Sequence, residues 1–181
     1  MTLYPPQLLR DLADSTLFLD TNVFSIGSRS VGLLDLLTKL RNDAGCDFTS
    51  IPSVLFELVR GSNSIEAYNE SVDFFNDLVS YTNPLTFIDK LSDFSIVMAK
   101  VNASNKSYTD FLLAACLYQY RNSGKVFLLT SDLKALPSFY DREYLITTDE
   151  DKSKEVRNLG IYKFNTENYV KTAQQVISES H

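Results

Sequence analysis

A chain of 181 residues, 44% apolar and 22% charged, holds enough material for one domain with its own core and is short for two. Its one histidine is the last residue, His181, which excludes Ser–His, Cys–His and paired-histidine mechanisms and leaves catalysis to carboxylates, lysine, tyrosine or a metal. The net charge of −6 argues against wholesale adhesion to nucleic acid, although cations bound at an acidic site would offset part of it.

Cys46 and Cys116 stand far apart and, with a lone terminal histidine, make no zinc cluster; both read as buried reduced thiols. The leading segment MTLYPPQLLRDLADS lacks a basic cluster followed by an apolar run. The longest apolar stretches, such as Phe111 to Leu117, fall far short of a bilayer span. No membrane association is expected, and the expected location is the cytoplasm.

In chain order, Tyr4 to Ala13 reads as a short leading helix opened by Pro5 and Pro6. Ser15 to Leu19 is a brief apolar run that stops at Asp20, the pattern of a strand buried on both faces. After a loop, Val31 to Asn42 carries Leu33, Leu34, Leu36, Leu37 and Leu40 at helical spacing, ending near Gly45. Cys46 to Ile51 is a short strand candidate, and Pro52 opens a helix that Gly61 stops. A helix over Ile65 to Val79, a strand over Leu85 to Ile88 and a helix over Ser92 to Lys100 follow. Thr109 to Tyr120 is a strongly apolar helix capped by Thr109 or Ser107. Val126 to Leu129 is a buried strand running into Thr130-Ser131-Asp132. Leu145 to Thr147 and Ile161 to Phe164 read as the last strands, and Glu167 to Ile177 as a closing helix.

No internal repeat, low-complexity tract or Pro/Gly/Ser linker divides this series. The expectation is therefore one α/β domain over residues 1–181, with a central parallel β-sheet flanked by helices on both faces. A leading helical extension covers residues 1–14, and a C-terminal extension follows about residue 165. Functional groups of such sheets collect at the carboxyl ends of the strands, where both Asp20 and Asp132 fall.

Each acid alone has an ordinary explanation. Asp20 and Asp132 suit a helix cap or a turn, Glu57 suits an i+3 pair with Arg60, and Asp110 suits the positive end of a helix. Taken together, four segments resemble the PIN-domain family of metal-dependent nucleases, in that family's order and over most of the chain. They are FLDTNVF with Asp20, SVLFELVRG with Glu57 and Gly61, YTDFLLAACLYQY with Asp110, Ala114 and Ala115, and VFLLTSDLKAL with Thr130 and Asp132. The chain departs from the family pattern in its leading helix, in the candidate strand at Cys46 to Ile51 and in its tail after Phe164. It also has Leu133-Lys134-Ala135-Leu136-Pro137 where an aromatic residue often follows the fourth acid, and Asp141 is an alternative to Asp132.

The resemblance implies that Asp20, Glu57, Asp110 and Asp132 jointly hold Mg²⁺ or Mn²⁺, cations suited to carboxylate oxygen where neither thiolate nor imidazole is on offer. Direct ligation falls to Asp20 and Asp110. Glu57 and Asp132 hold a second ion or orient the attacking water, with Thr21, Asn22, Thr130 and Ser131 behind them. Arg29, Arg60, Lys106 and Lys134 are candidates to steer phosphate, and Tyr108 is a candidate to stack on a base.

The implied activity is endonucleolytic hydrolysis of single-stranded RNA, with the toxin of a toxin–antitoxin pair as one role. An antitoxin protein and a second copy of the chain are candidate partners. The alternative is a PIN-like module that binds protein or RNA with little catalysis. An aspartate-nucleophile phosphatase would need a second aspartate two positions after Asp20, where Asn22 stands.

Overall fold

The structure is a computed structural model that describes residues 2–82, 91–101, 107–133 and 139–178. The strand expected over Leu85 to Ile88 lies outside the described residues, as do Lys106, Lys134 and His181. The described elements are helices and a six-stranded mixed sheet, an α/β architecture. No helix among the described residues is long and apolar enough to cross a membrane.

The chain opens with Leu3 in an extended bridge, its N–H donating to the Thr147 carbonyl at 2.7 Å and its own carbonyl accepting the Thr147 N–H at 2.9 Å. That pairing shortens the expected leading helix to α1 (Leu8–Asp11), because the residues before Pro5 serve a sheet edge instead. Strand β1 (Thr16–Leu19) follows, then α2 (Thr21–Gly27), where the sequence suggested a loop. Helix α3 (Val31–Asn42) is capped by the Ser30 hydroxyl, which accepts the Leu33 N–H at 3.2 Å. It gives way to β2 (Asp47–Ser50) through Gly45, whose φ of +68° is the left-handed turn that glycine accepts without strain.

Pro52 is the first residue of α4 (Pro52–Val59), and α5 (Ile65–Leu78) is capped by Ser64. Strand β3 (Tyr81–Thr82) follows α5 directly. Beyond it come α6 (Leu91–Val101), α7 (Tyr108–Gln119), β4 (Val126–Thr130), β5 (Tyr140–Asp149), β6 (Val156–Phe164) and α8 (Thr166–Ser178).

The sheet order is β3-β2-β1-β4-β6-β5. The first four of these are parallel, with Leu17 level with Phe48 on one side and Phe127 on the other. Strand β6 runs antiparallel to β4, and β5 antiparallel to β6. The sheet is thus parallel at its centre, as expected, and antiparallel at one edge. There the short strands expected at Leu145 to Thr147 and Ile161 to Phe164 are parts of a long hairpin. Its outer residues, among them Asp141, Arg142 and Glu143, are exposed as an edge strand allows, so their composition resembled a loop.

Leu17, Phe18 and Leu19 are wholly buried, so β1 is covered on both faces. Phe18 meets Tyr120, just past α7 (ring centroids 6.1 Å), whereas Phe48, level with Leu17, lies under the Arg41 guanidinium of α3 at 5.0 Å. Helices α2 to α5 pack among themselves on one side, where Phe24 stacks on Phe75 at 5.0 Å. On the other, α6, α7 and α8 gather around Phe94, Tyr118 and Tyr169.

The chain leaves β1 first toward β2 and returns to the other side of β1 as β4. The direction of the crossovers reverses between these two strands, which opens a crevice at their carboxyl ends. Gly160 of β6, level with Thr130, keeps that end closed from behind. A Cβ there would overlap the buried Tyr162 ring and come within 3.0 Å of Leu133 Cδ2. Gly160→Ala is expected to lower stability by about 1–3 kcal/mol, the range for overpacking a filled site. A urea-denaturation midpoint unchanged from wild type would contradict that packing.

Candidate functional site

Asp20 is the first residue beyond β1 and the N-cap of α2, with extended backbone (φ −82°, ψ 159°) and its carboxylate accepting the Thr21 N–H at 2.7 Å. Its own N–H donates to the Leu129 carbonyl at 3.2 Å, so the β1–β4 ladder persists to the level of the carboxylate. At the end of β4, the Thr130 hydroxyl donates to Asp20 Oδ2 at 2.6 Å. The same hydroxyl accepts the Asn22 Nδ2–H at 3.1 Å and the Asp132 N–H at 3.0 Å. Asn22 also donates to Asp20 Oδ2 and takes the Ser131 N–H on its Oδ1 at 2.8 Å, which fixes which way its amide faces. The Asp-Thr-Asn and Thr-Ser-Asp triplets thus interlock across the crevice.

The other acids connect to this pair of strand ends by separate routes. Thr21 Oγ1 donates to Glu57 Oε2 at 2.9 Å, tying α4 to the start of α2. Asp110 forms a capping box at the head of α7, accepting the Ser107 N–H at 2.9 Å while its N–H donates to Ser107 Oγ at 3.1 Å. Ser107 is therefore the cap, rather than Thr109. Asp132 hangs from Thr130 through its backbone, and its charge adds to the burial that raises the Tyr162 phenol.

Asp20 is the hub of this arrangement, linked to each of the other acids by one spoke. Among the described residues, no group of three or more histidine, cysteine, aspartate or glutamate side chains converges to hold a metal ion. The four carboxylates thus share one end of the sheet without forming a closed cage.

Asp20 is 6% exposed, and burial, the largest influence, raises its pKa from 3.8 to about 6. The Thr130 hydrogen bond pulls it back down, the neighbouring charge of Asp110 pushes it up again, and the Thr21 N–H and Asn22 amide lower it. Asp20 and Asp110 are thus close enough to repel. Carboxylate oxygen is the donor chemistry that hard divalent cations take, and Mg²⁺ often uses only one or two protein carboxylates.

Two other sequence expectations end elsewhere. Arg29 does not face the crevice acids: its guanidinium serves the Ser25 carbonyl at 2.9 Å and lies 3.5 Å from Glu150. Glu150, buried at the β5–β6 turn, also takes Arg157 at 3.0 Å, and this ion cluster had no local signature in the sequence. Asp141 lies on the exposed edge strand level with Lys163, two strands from β4, and accepts the Asn165 amide at 2.6 Å. It belongs to a different part of the surface from Asp20. Arg60 is exposed beyond the end of α4.

No protein family, curated protein or solved structure matches the chain.

The raised pKa of Asp20 makes a signed prediction. The folded state holds this proton more tightly than the unfolded chain, so the group favours folding below about pH 4. That contribution is lost as pH rises through about 6, a swing on the order of 3 kcal/mol. Asp110→Asn keeps an oxygen for the Ser107 N–H but removes the repelling charge. In chelator its stability relative to wild type is expected to improve as pH rises from about 5 to about 7. At the lower pH it should trail by a few tenths to about 1 kcal/mol, from the lost charge at the helix terminus. Denaturation curves at the two pH values measure the difference; a gap that does not change with pH would disprove the repulsion.

Proposed function

We propose that this chain is a divalent-metal-dependent nuclease that hydrolyses phosphodiester bonds in single-stranded RNA, with Asp20, Glu57, Asp110 and Asp132 as its working acids on a PIN-like fold. The observation that carries the reading is the buried Asp20 carboxylate at the β1/β4 crevice, held by Thr130 and repelled by Asp110. A carboxylate kept desolvated beside a like charge is poorly placed for stability alone and well placed to receive a cation.

Asp20 and Asp110 would hold Mg²⁺ or Mn²⁺, which when bound supplies positive charge for activating water and stabilising the departing oxygen. The chain's own groups do the positioning. Thr130 and Asn22 fix the Asp20 oxygens, Thr21 holds Glu57 where it can orient the attacking water, and Ser131 anchors Asn22. With no histidine but His181, proton transfers fall to carboxylates and water. Action in the cytoplasm, as the toxin of a toxin–antitoxin pair restrained by an antitoxin protein or paired with a second copy, is one setting for this activity.

A second reading is favoured by one specific observation, the lack of a three-acid cluster among the described residues. It is a PIN-like module that binds RNA or protein without turnover. The two readings part on metal-dependent cleavage.

Purified protein is expected to cut labelled single-stranded RNA with Mg²⁺ or Mn²⁺ and not in chelator. Thr130→Val should lose roughly 10- to 100-fold in rate, as expected for a residue that orients a ligand. Asp20→Asn and Asp110→Asn should lose more, Glu57→Gln nearly as much, and Asp132→Asn the least of the four. The product ends should be 5′-phosphate and 3′-hydroxyl, because attack by the 2′-hydroxyl commonly uses a histidine pair as base and acid, which this chain lacks. Cleavage that survives chelator or both aspartate substitutions would refute the proposal. Cyclic phosphate ends lost in Asp20→Asn would refute the hydrolytic route.

A further inference from the structure

The head of α7 carries more than Asp110. Tyr108, the first residue of that helix, is 72% exposed, although it is an aromatic side chain in a protein with a well-filled core. Its ring is stacked on Phe111 at a centroid distance of 6.4 Å and an interplanar angle of 27°. Phe111 in turn faces the wholly buried Phe94 at 6.0 Å and 36°, and Phe94 stacks on Tyr118 at 4.9 Å and 21°. Four rings thus form an offset column that starts in the core between α6 and α7 and ends in solvent at the head of α7.

We infer that Tyr108 is the platform on which an unpaired base of the substrate stacks, and that it gives the site its preference for single strands. The inference rests on the nuclease reading and adds a substrate contact to it. The i, i+3 spacing puts Phe111 behind Tyr108 and restrains its ring, so little freedom is lost when a base covers it. Asp110 is two residues further on, about 3 Å along the axis and turned to another side of the helix. Both residues lie in the first turn of α7, so a strand held at that helix head can lay one of its bases on the ring.

Charge makes this contact necessary. With a net charge of −6 and four acids at the site, the protein has little electrostatic attraction to offer a polyanion, and stacking is a source of affinity that does not depend on charge. A duplex has both faces of its bases already covered, so it gains nothing from the ring.

The test is equilibrium binding of a short fluorescein-labelled oligouridylate, and of its duplex with oligoadenylate, to the full-length protein in chelator. Tyr108→Phe should bind the single strand within about twofold of wild type, whereas Tyr108→Ala and Tyr108→Leu should bind roughly 10- to 100-fold more weakly. The salt dependence should be unchanged, because no ionic contact is removed. The chain has no tryptophan, so Tyr108→Trp supplies a single reporter whose fluorescence should be quenched by the oligouridylate and not by the duplex.

Tyr108→Leu binding as tightly as Tyr108→Phe would overturn the stacking contact, and so would Tyr108→Ala matching a wild type that binds and cleaves; both leave the nuclease reading intact. A change in oligomeric state in Tyr108→Ala, with oligonucleotide binding untouched, would assign the ring to a protein interface and overturn the inference. A wild type that neither binds the strand nor cleaves RNA with metal would remove the nuclease reading, and this inference with it.

Discussion

The hydrogen bond from the Thr130 hydroxyl to the Asp20 carboxylate joins the ends of two strands that are neighbours in the sheet and 110 residues apart in the chain. It lies at the point where the crossovers change direction, the place in a parallel sheet where a crevice opens above the strand ends. The surrounding geometry follows from it. Thr130 gives its one proton to Asp20, and its two lone pairs accept from the Asn22 amide and the Asp132 N–H. A hydroxyl with one proton and two lone pairs is thereby fully used. The loop after β4 is set by the same atom that orients the carboxylate.

The energetics of the site are a contest between desolvation and hydrogen bonding. Three donors reach the Asp20 carboxylate, which would ordinarily hold it well ionised, yet burial together with Asp110 raises its pKa to about 6. The other acids reduce their own repulsion by separation. Glu57 is drawn toward Thr21 and Asp110 toward the Ser107 N–H at the positive end of α7.

The two helical layers serve different ends. The α2–α5 side is a conventional apolar layer, anchored by Phe24, Phe75 and the α3 leucines. The α6–α8 side is built from aromatic rings, and its column carries rigidity from the core to the helix terminus that bears Asp110. The antiparallel β5–β6 hairpin covers the other flank of β4. Its turn is pinned to the α2–α3 connection by Glu150 with Arg29 and Arg157, and by Asp151, whose carboxylate accepts the Val31 N–H at 2.8 Å. A buried carboxylate with two guanidiniums adds specificity of placement more than stability.

The amino-acid sequence by itself determined what is local. The apolar run before Asp20 made a buried strand, the leucine spacing made α3, Pro52 opened α4, and Ser107 with Asp110 capped α7, because period and cap chemistry act within a few residues. It also placed Asp20 and Asp132 at strand ends. Only the tertiary structure decided which acids interact. That Asp110 repels Asp20, that Thr21 rather than Arg60 holds Glu57, and that Asp141 stands two strands away are outcomes of strand order and helix packing, which no short window encodes. Strand direction escaped for the same reason. A charged edge strand resembles a loop until its partner is known, and the hairpin's register with β4 depends on contacts between residues some thirty positions apart or more, such as Thr130 and Gly160.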